Sequence, residues 1–259
     1  MRSTPPGLLT LALDLGNSSA KAAVFDGDRL LGEPLRFGYE EWEQADALAT
    51  NHGVRNIVYS SVANVPPQEL LDNWTAAGRH VRTLDAIPPL PFPTKYRTTD
   101  TLGKDRIAAI AGWLALLRVT ATEARAGLIV DAGTCITTDL VDASGLHHGG
   151  NISPGIRMRL RAMHDFTARL PLPEPGYPLG GVGLATDDAL RHGAELGSVY
   201  ELEGCYLRLV AEQPSLTLVL TGGDGPWLAE RLRVPFVLHP HLVLHGLIAL
   251  TSNYAHNES

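Results

Sequence analysis

The sequence predicts an α/β protein with two duplicated halves that face each other across a cleft. Three observations support this fold class. Short runs of β-type residues alternate with stretches of helical periodicity along the chain. A turn of the form Asp-x-Gly-polar occurs twice between two such runs, at residues 14–18 and 131–135. Each turn opens a series of strands that is followed by a helix, which indicates that one α/β unit is repeated.

The first half is expected to have the element order β-β-β-α-β-α. Hydrophobic runs bounded by turn residues predict the strands, and apolar residues at helical spacing predict the helices. The expected strands cover residues 8–13, 20–25, 29–31 and 56–60, and the expected helices cover 40–51 and 67–77. A proline-rich connection, 87–93, then leads to a helix at 107–117 that is apolar on nearly all sides. Such a helix is expected to be buried between domains or subunits.

The second half repeats strand, turn and strand before its helices. Its expected strands cover residues 128–130, 136–141 and 216–220, with loops at 149–155, 171–183 and 221–225. Helices are expected at 156–170, 186–210, 226–232 and 242–252. The two domains are therefore predicted to be residues 1–120 and 121–259.

The composition limits the classes of function. The 259 residues carry 21 Lys+Arg against 28 Asp+Glu, a net charge of −7, whereas non-specific nucleic-acid binding needs a basic face. No apolar run approaches the roughly 18 residues that a transmembrane helix needs, and the N-terminus is a poor signal peptide. Two cysteines, Cys135 and Cys205, make no disulfide framework. A cytoplasmic protein without nucleic-acid or membrane partners is expected.

The repeated turn suits a bound phosphate. Glycine lets backbone N–H groups approach a ligand closely, and small hydroxyl or amide side chains add hydrogen-bond donors. Two ordinary hairpin turns are the alternative, but the repetition favours a polyphosphate site with its metal, as does a glycine-rich loop at 221–225 between a strand and a helix. The chain has no Gly-x-x-x-x-Gly-Lys-[Ser/Thr] sequence, which argues against a P-loop.

These motifs are similar to those of a known family. The segment Asp14-x-Gly-Asn-Ser-x-x-Lys21 resembles the first phosphate loop of the actin/hexokinase/Hsp70-type ATPases. Four further segments, in family order, resemble type III pantothenate kinase, the first enzyme of coenzyme A synthesis in many bacteria. They are Tyr96 with Leu102-Gly-Lys-Asp-Arg106, Val130-Asp-Ala-Gly-Thr134, Gly149-Gly-x-Ile-x-Pro-Gly155 with Thr167-Ala-Arg-Leu-Pro171, and Thr221-Gly-Gly-Asp224. The resemblance implies two ribonuclease-H-like domains and ATP-dependent phosphorylation of pantothenate to 4′-phosphopantothenate.

The resemblance also implies where Mg-ATP and a cation bind. The ATP-binding residues would be Asp14, Leu15, Gly16, Asn17, Ser18, Ser19, Ala20, Lys21, Thr134, Gly222 and Gly223. Asp14 is expected to position the magnesium as well. Asp131 is expected to bind a monovalent cation, K⁺ or NH₄⁺.

The same resemblance implies a pantothenate pocket in a homodimer. The pocket residues would be Tyr96, Gly103, Lys104, Asp105 and Arg106, with Thr186 reaching in from the partner subunit. The family commonly has a small residue at the position of Lys104. That departure leaves Gly103, Asp105 and Arg106 intact.

Asp105 is the expected proton acceptor. Phosphoryl transfer to an alcohol needs a base near the attacking hydroxyl, and an aspartate can accept the proton late in the reaction. Asp105 lies just before the apolar helix, whose N-terminus stabilises a carboxylate, so capping of that helix is the alternative role. Arg106 could pair with the carboxylate of the substrate, or it could form a surface salt bridge.

Two other functions fit parts of the pattern. A different phosphotransferase on the same fold would account for the phosphate turns but not for Tyr96 and residues 103–106. The second is a catalytically silent ATP-binding regulatory protein, and the intact Asp14, Asp105 and Asp131 count against it. The histidines at 239, 241 and 245 lack a Cys or carboxylate with ligand spacing, so a strand and the last helix are expected there rather than a metal site.

Overall fold

The protein consists of two compact units. Its computed structural model describes residues 9–62, 64–84, 90–119, 125–176 and 180–254. Unit 1 comprises residues 1–123 and 241–259, and unit 2 comprises residues 124–240. Each unit contains a five-stranded sheet with helices, which confirms the predicted α/β class.

Unit 1 is built on one mixed sheet. Its strands are β1 (Leu9–Leu15), β2 (Ala20–Asp26), β3 (Arg29–Phe37), β4 (Asn56–Ser61) and β5 (His80–Thr83). Its helices are α1 (Trp42–Asn51), α2 (Gln68–Ala76), α3 (Lys104–Val119) and the C-terminal helix α7 (Leu242–Tyr254). The strand order is β3-β2-β1-β4-β5, with β1 to β3 antiparallel and β4 and β5 joined in parallel to β1.

The core of unit 1 lies on both faces of β1. Leu11 and Leu13 of β1 are fully buried, and Trp74 of α2 packs into the same cluster. The ring of His245 on α7 packs against the ring of Phe25 on β2 in a T-shaped arrangement, with the ring centroids 5.2 Å apart. Helices α3 and α7 pack against each other over much of their length. The apolar character of α3 on nearly all sides is therefore explained by burial inside unit 1.

Unit 2 repeats the topology of unit 1. Its strands are β6 (Gly127–Ala132), β7 (Cys135–Val141), β8 (His147–Pro154), β9 (Thr217–Thr221) and β10 (Phe236–Leu238). Its helices are α4 (Ile156–Asp165), α5 (Thr186–Val210) and α6 (Gly225–Ala229). The order β8-β7-β6-β9-β10 is the order of unit 1 with each strand replaced by its counterpart. The predicted duplication is confirmed by this match.

The loop expected at 149–155 is wrong, because most of it belongs to β8. This strand pairs antiparallel with β7, with Gly150 opposite Asp139. A Cβ on Gly150 would overlap the carbonyl oxygen of Thr138, so the two strands approach this closely only because the side chain is missing. Gly150, which suggested a loop, is therefore required by the close pairing of β7 and β8.

Other elements also differ from expectation. Strand β3 continues past Gly32 and Pro34 to Phe37, which an edge strand tolerates because its outer N–H groups need no partner. Helix α4 ends at Asp165 instead of 170, and the short strand β5 was not predicted. The proline-rich connection lies partly outside the described residues, since 85–89 are not among them.

The residue bounds of the two units also differ from those of the predicted domains, 1–120 and 121–259. Helix α7 was expected in the second domain, but it packs on α3 and β1 of unit 1. The apolar surface of α7 packs against α3. Among the described residues, no other helix of unit 1 contacts α3 as extensively. The chain therefore returns to unit 1 after residue 240.

Candidate functional site

A row of polar side chains crosses the sheet of unit 1 near the end of β1. Asp14 stands opposite Lys21 on β2 and beside Ser60 on β4, and Lys21 stands opposite Arg36 on β3. Cross-strand neighbours project from the same face of a sheet. The four side chains Arg36, Lys21, Asp14 and Ser60 therefore share one face, and we call them the charged row.

Asp14 is a half-buried carboxylate within this row. Burial raises its pKa from 3.8 to about 6. The positive charge of Lys21 and a hydrogen bond with Ser60 favour the ionised form, whereas the negative charge of Asp105 disfavours it. Asp14 and Asp105 thus lie close enough for their charges to interact. Since Mg²⁺ prefers oxygen ligands and offsets negative charge, this pair of carboxylates suits a magnesium ion.

Asp105 lies in the first turn of α3, not before the helix as expected. Its Oδ1 accepts a hydrogen bond from the backbone N–H of Arg106 at 2.8 Å, and the N-terminal end of the helix stabilises its charge. Asp105 therefore accepts one backbone N–H bond at the start of the helix, from the residue that follows it. Its negative charge also acts on Asp14.

Arg106 and Tyr96 form a pair beside Asp105. Arg106 is 3% exposed, and its guanidinium carbon lies 5.2 Å from the centroid of the Tyr96 ring. A cation over an aromatic face is attracted by the electron-rich ring. A surface salt bridge, one of the two roles predicted for Arg106, is wrong because the side chain is buried.

Two side chains that the sequence did not indicate hold the turn between β1 and β2. The hydroxyl of Tyr39 donates a hydrogen bond to the carbonyl oxygen of Gly16. At the other end of the turn, Nε of Arg36 donates to Oγ of Ser19 at 3.0 Å. Neither Tyr39 nor Arg36 belongs to a motif, and only the register of β3 against β2 could have found Arg36.

The predicted ATP-binding residues of this turn fall into two groups. Asn17 and Ser18 are exposed, and Lys21 is half-buried in the charged row. Leu15 and Ala20 have side chains that are fully buried in the core of unit 1. Only the backbones of these two residues can face a ligand.

The corresponding turn in unit 2 surrounds Asp131. This residue stands opposite Thr137 on β7 and beside Thr221 on β9. Gly222 follows with φ of +91°, and a Cβ on it would overlap Oδ1 of Asp131 and the carbonyl oxygen of Ala132. The loop after β9 is therefore pressed against the second turn, and three predicted residues, Asp131, Gly222 and Gly223, come together there.

Backbone hydrogen bonds complete this arrangement. The N–H of Asp224 donates to the carbonyl oxygen of Ala132 at 2.9 Å, and the N–H of Gly155 donates to that of Thr134 at 3.1 Å. Thr134 itself is exposed. The second turn thus has a fixed backbone with Thr134 at its surface.

A cavity of about 100 Å³ opens next to the glycine-rich loop of unit 2. Its lining residues are Ile156, Arg157, Pro175, Gly176, Asp224 and Trp227. Arg231 lies over the Trp227 ring, 3.9 Å from its centroid, and the buried Glu195 accepts a hydrogen bond from the N–H of Gly176 at 2.8 Å. These two contacts support Gly176 and Trp227 in the wall of the cavity, which Asp224 of the glycine-rich loop also lines.

The remaining predicted residues lie at helix starts. Lys104 is the first residue of α3 and is half-buried, and Thr186 is the exposed first residue of α5. In the described part of the chain, no group of three or more His, Cys, Asp or Glu is placed to hold a metal ion. None of the helices described is long and apolar enough to span a membrane.

Known structures share this architecture. A Campylobacter jejuni structure named for a Baf family of transcriptional activators is 26% identical, with a TM-score of 0.58, and the match covers 95% of this chain and 99% of that one. The activator of 2-hydroxyisocaproyl-CoA dehydratase from Clostridium difficile, solved with bound ADPNP, has a TM-score of 0.52 at 11% identity and covers 97% and 98% of the two chains. The fold class is the two-unit α/β fold that this chain shares with these two proteins.

Sequence comparison narrows this class. The model of the type III pantothenate kinase family matches residues 10–208. A type III pantothenate kinase of Bacteroides fragilis is 35% identical over 242 residues, covering 92% of this chain and 96% of its own. One of Phocaeicola vulgatus is 33% identical over 246 residues, covering 94% and 98%. The chain belongs to the type III pantothenate kinase family.

Proposed function

We propose that the protein transfers the γ-phosphoryl group of ATP to pantothenate, forming 4′-phosphopantothenate for coenzyme A synthesis. Family membership supports this activity. The observation that carries it is the charged row at the turn between β1 and β2, which sets the carboxylate of Asp14 opposite the cation of Lys21. A carboxylate for magnesium and a cation for phosphate oxygens are what transfer from a nucleotide requires.

Asp14 and Lys21 hold the phosphate end of ATP. The exposed Asn17 and Ser18 offer side-chain and backbone donors to phosphate oxygens, and Gly16, Ser19 and the backbones of Leu15 and Ala20 complete the turn. Asp14 positions the magnesium, because its carboxylate is ionised above about pH 6 and is crowded by a second negative charge. Bound magnesium supplies charge neutralisation to the phosphates.

Asp105 acts as the general base. The hydroxyl oxygen of pantothenate bonds to the γ-phosphorus while the bond between that phosphorus and the β–γ bridging oxygen breaks. The hydroxyl proton passes to the carboxylate of Asp105. The start of α3 supports the ionised state that a base needs, since the helix N-terminus stabilises negative charge.

The acceptor pocket lies at the same helix. The Arg106 guanidinium is held over Tyr96 and suits the carboxylate of pantothenate, which it can bind through two parallel hydrogen bonds. Gly103 and Lys104 border Asp105 on the chain and line the pocket in this proposal. Their placement at the N-terminus of α3 also favours an anionic acceptor.

Unit 2 supplies the other ATP contacts and a monovalent cation site. Thr134, Gly222 and Gly223 contact the nucleotide in this proposal. Asp131 holds K⁺ or NH₄⁺, and the donor set around it is oxygen-rich, since Thr137 and Thr221 flank it on the sheet. Hard oxygen ligands suit such cations.

The protein acts as a homodimer in this proposal, with Thr186 contributing to the pantothenate pocket of its partner. Tyr200 and Leu207, seven residues apart on one face of α5, are 58% and 60% exposed, and Ile152 of β8 is 63% exposed. A second copy would remove this apolar surface from water. Light scattering is expected to give the mass of a dimer, and Leu207→Glu is expected to shift it to the monomer. A monomeric wild-type protein contradicts the proposal. The cytoplasmic location stays a prediction.

The test of the activity is ADP release with Mg-ATP and potassium, measured with and without pantothenate. Release that depends on pantothenate is expected, as is a loss of rate when sodium replaces potassium. Equal rates in the two salts would count against Asp131 as the cation site. ATP binding without any pantothenate-dependent release would overturn the kinase proposal and leave another acceptor or a silent ATP-binding regulator.

A further inference from the structure

The charged row contains an arginine that no motif explains. Arg36 stands directly opposite Lys21, so two positive side chains are neighbours on one face of the sheet. Like charges in directly opposite cross-strand positions destabilise a sheet. Such a pair is expected where an anion is to be bound between or beside the two cations.

The contacts of Arg36 point to the same conclusion. Its Nε donates to Oγ of Ser19 at 3.0 Å, which places the guanidinium at the turn that carries Asn17 and Ser18. The side chain is exposed, and within the described residues it makes no ion pair with a carboxylate. Arg29, at the other end of β3, differs because it pairs with Asp26 at 3.2 Å.

We propose that Arg36 is a second phosphate-binding cation of the nucleotide site, beside Lys21. This inference rests on the proposed function, since it takes the turn between β1 and β2 as the phosphate site. The bond from Nε to Ser19 fixes the guanidinium plane against the turn. The terminal N–H groups of Arg36 then bind phosphate oxygens that approach Asn17 and Ser18, in the paired geometry that arginine gives with oxyanions.

In this proposal Lys21 and Arg36 have different roles within the charged row. Lys21 is a compact charge that also faces Asp14, and its attraction is shared between that carboxylate and the nucleotide. Among the residues that the structure describes, the cross-strand partner of Arg36 in β2 is Lys21 and not a carboxylate. Its charge is therefore directed mainly toward the bound phosphates.

The test compares Arg36→Ala and Arg36→Lys with Arg29→Ala in the full-length protein. Arg29→Ala is the matched control, since it removes an exposed arginine from the same strand. Binding of Mg-ADP is measured by titration calorimetry at low and high salt, and the KM values for ATP and pantothenate are measured by ADP release. Arg36→Ala is expected to weaken Mg-ADP binding and raise KM for ATP about tenfold, because one charge-assisted contact is lost.

Further readouts distinguish phosphate binding from support of the turn. The KM for pantothenate is expected to stay within about twofold, Arg36→Lys to recover part of the affinity, and the salt dependence of Mg-ADP binding to weaken in Arg36→Ala. The melting temperature of Arg36→Ala is expected to be unchanged or slightly higher, because the repulsion with Lys21 is relieved.

Three results would overturn the inference. One is Mg-ADP affinity of Arg36→Ala within about twofold of wild type. The second is an affinity of Arg36→Lys no better than that of Arg36→Ala, with unchanged salt dependence. The third is a lowered melting temperature that accounts for the lost binding. If Mg-ADP binding depends on Arg36 but pantothenate is not phosphorylated, this inference stands and the proposed kinase activity fails.

Discussion

The two Asp-Gly turns occupy equivalent places in the two sheets, yet their surroundings differ in kind. Across the strands from Asp14 stand Lys21 and Arg36, with Ser60 on the other side. The corresponding row through Asp131 has Thr137 and then Ile152 on one side and Thr221 on the other. One turn is set among charges, and its counterpart is set among neutral side chains.

The turns are also held by different means. Side chains from the β3 region hold the first turn, through Tyr39 and Arg36. Backbone bonds hold the second turn, and the glycine-rich loop presses against it without room for a Cβ. The comparison indicates that the two halves share a strand order but differ at the turns. Charged side chains surround the first turn, whereas closely packed backbone surrounds the second.

Removing the base is expected to have the largest effect. Asp105→Asn keeps the size of the side chain and a hydrogen-bond acceptor for the N–H of Arg106, but it cannot take the hydroxyl proton. Its kcat is expected to fall at least about a hundredfold. Steady-state ADP release checks this, with circular dichroism to confirm the fold. A kcat near that of wild type would remove Asp105 from the role of base.

Shape at the second turn is tested by Gly222→Ala. The new methyl group would overlap Ala132 and Oδ1 of Asp131 at a backbone φ of +91° that alanine rarely adopts. The free energy of unfolding is expected to fall by about 2 kcal/mol or more, and KM for ATP to rise. Urea denaturation and ADP release measure the two effects. As a control for the free energy of unfolding alone, Gly223→Ala changes a neighbouring glycine that is exposed and is not among the glycines with a positive φ. An equal loss in both variants would contradict the close-packing explanation.

Charge at the first turn is tested by Asp14→Asn. The variant is expected to lower kcat/KM for ATP at least about tenfold, because the ionised carboxylate that positions magnesium is lost. In the wild-type protein, kcat/KM is expected to fall as the pH drops through about 6, where Asp14 takes up a proton. A pH profile that is flat between 5 and 7 would exclude Asp14 as the group that must be ionised.

The same variant should show a gain in stability that has a definite pH dependence. The folded-state pKa of Asp14, about 6, lies above the ordinary value of 3.8, so ionisation costs folding free energy once the pH exceeds the lower value. The cost grows up to about pH 6 and then stays constant. Asp14→Asn is therefore expected to melt a few degrees higher than wild type at pH 8 and at the same temperature at pH 4. Asp131→Asn is the comparison variant, because the cross-strand neighbours of Asp131, Thr137 and Thr221, are neutral.

The sequence alone predicted the features that depend on local chemistry. The repeated Asp-Gly turn identified Asp14 and Asp131, and hydrophobic periodicity located α5 with the boundaries that the structure has. The duplication was predicted as well, and the matching strand orders of the two sheets confirm it. Local patterns were sufficient here because turn residues and helix faces are dictated by neighbours along the chain.

Features that depend on contacts between distant parts of the chain could not be predicted in this way. Gly149 and Gly150 suggest a loop until the closeness of β7 is known. Helix α7 lies far along the chain from α3, so nothing local places it in unit 1. Arg36 enters the site through the register of two strands, and Tyr39 through a bond to a residue 23 positions earlier. Such contacts are properties of the assembled sheet.

The smallest expected effect concerns the side-chain support of the first turn. Tyr39→Phe removes the hydroxyl that binds the carbonyl oxygen of Gly16 and leaves the ring in place. Because a neutral hydrogen bond contributes about 1 kcal/mol, KM for ATP is expected to rise about threefold while kcat changes little.

Tyr206→Phe is the matched control for this variant, since it removes a hydroxyl bond to the carbonyl oxygen of Leu216 in unit 2, away from either turn. It is expected to change stability slightly and KM for ATP not at all. If the two variants had the same KM, the first turn would hold its shape without Tyr39, and the contrast between a turn held by side chains and a turn held by backbone would be lost. A selective rise in Tyr39→Phe would instead show that the charged site depends on support from outside its own motif.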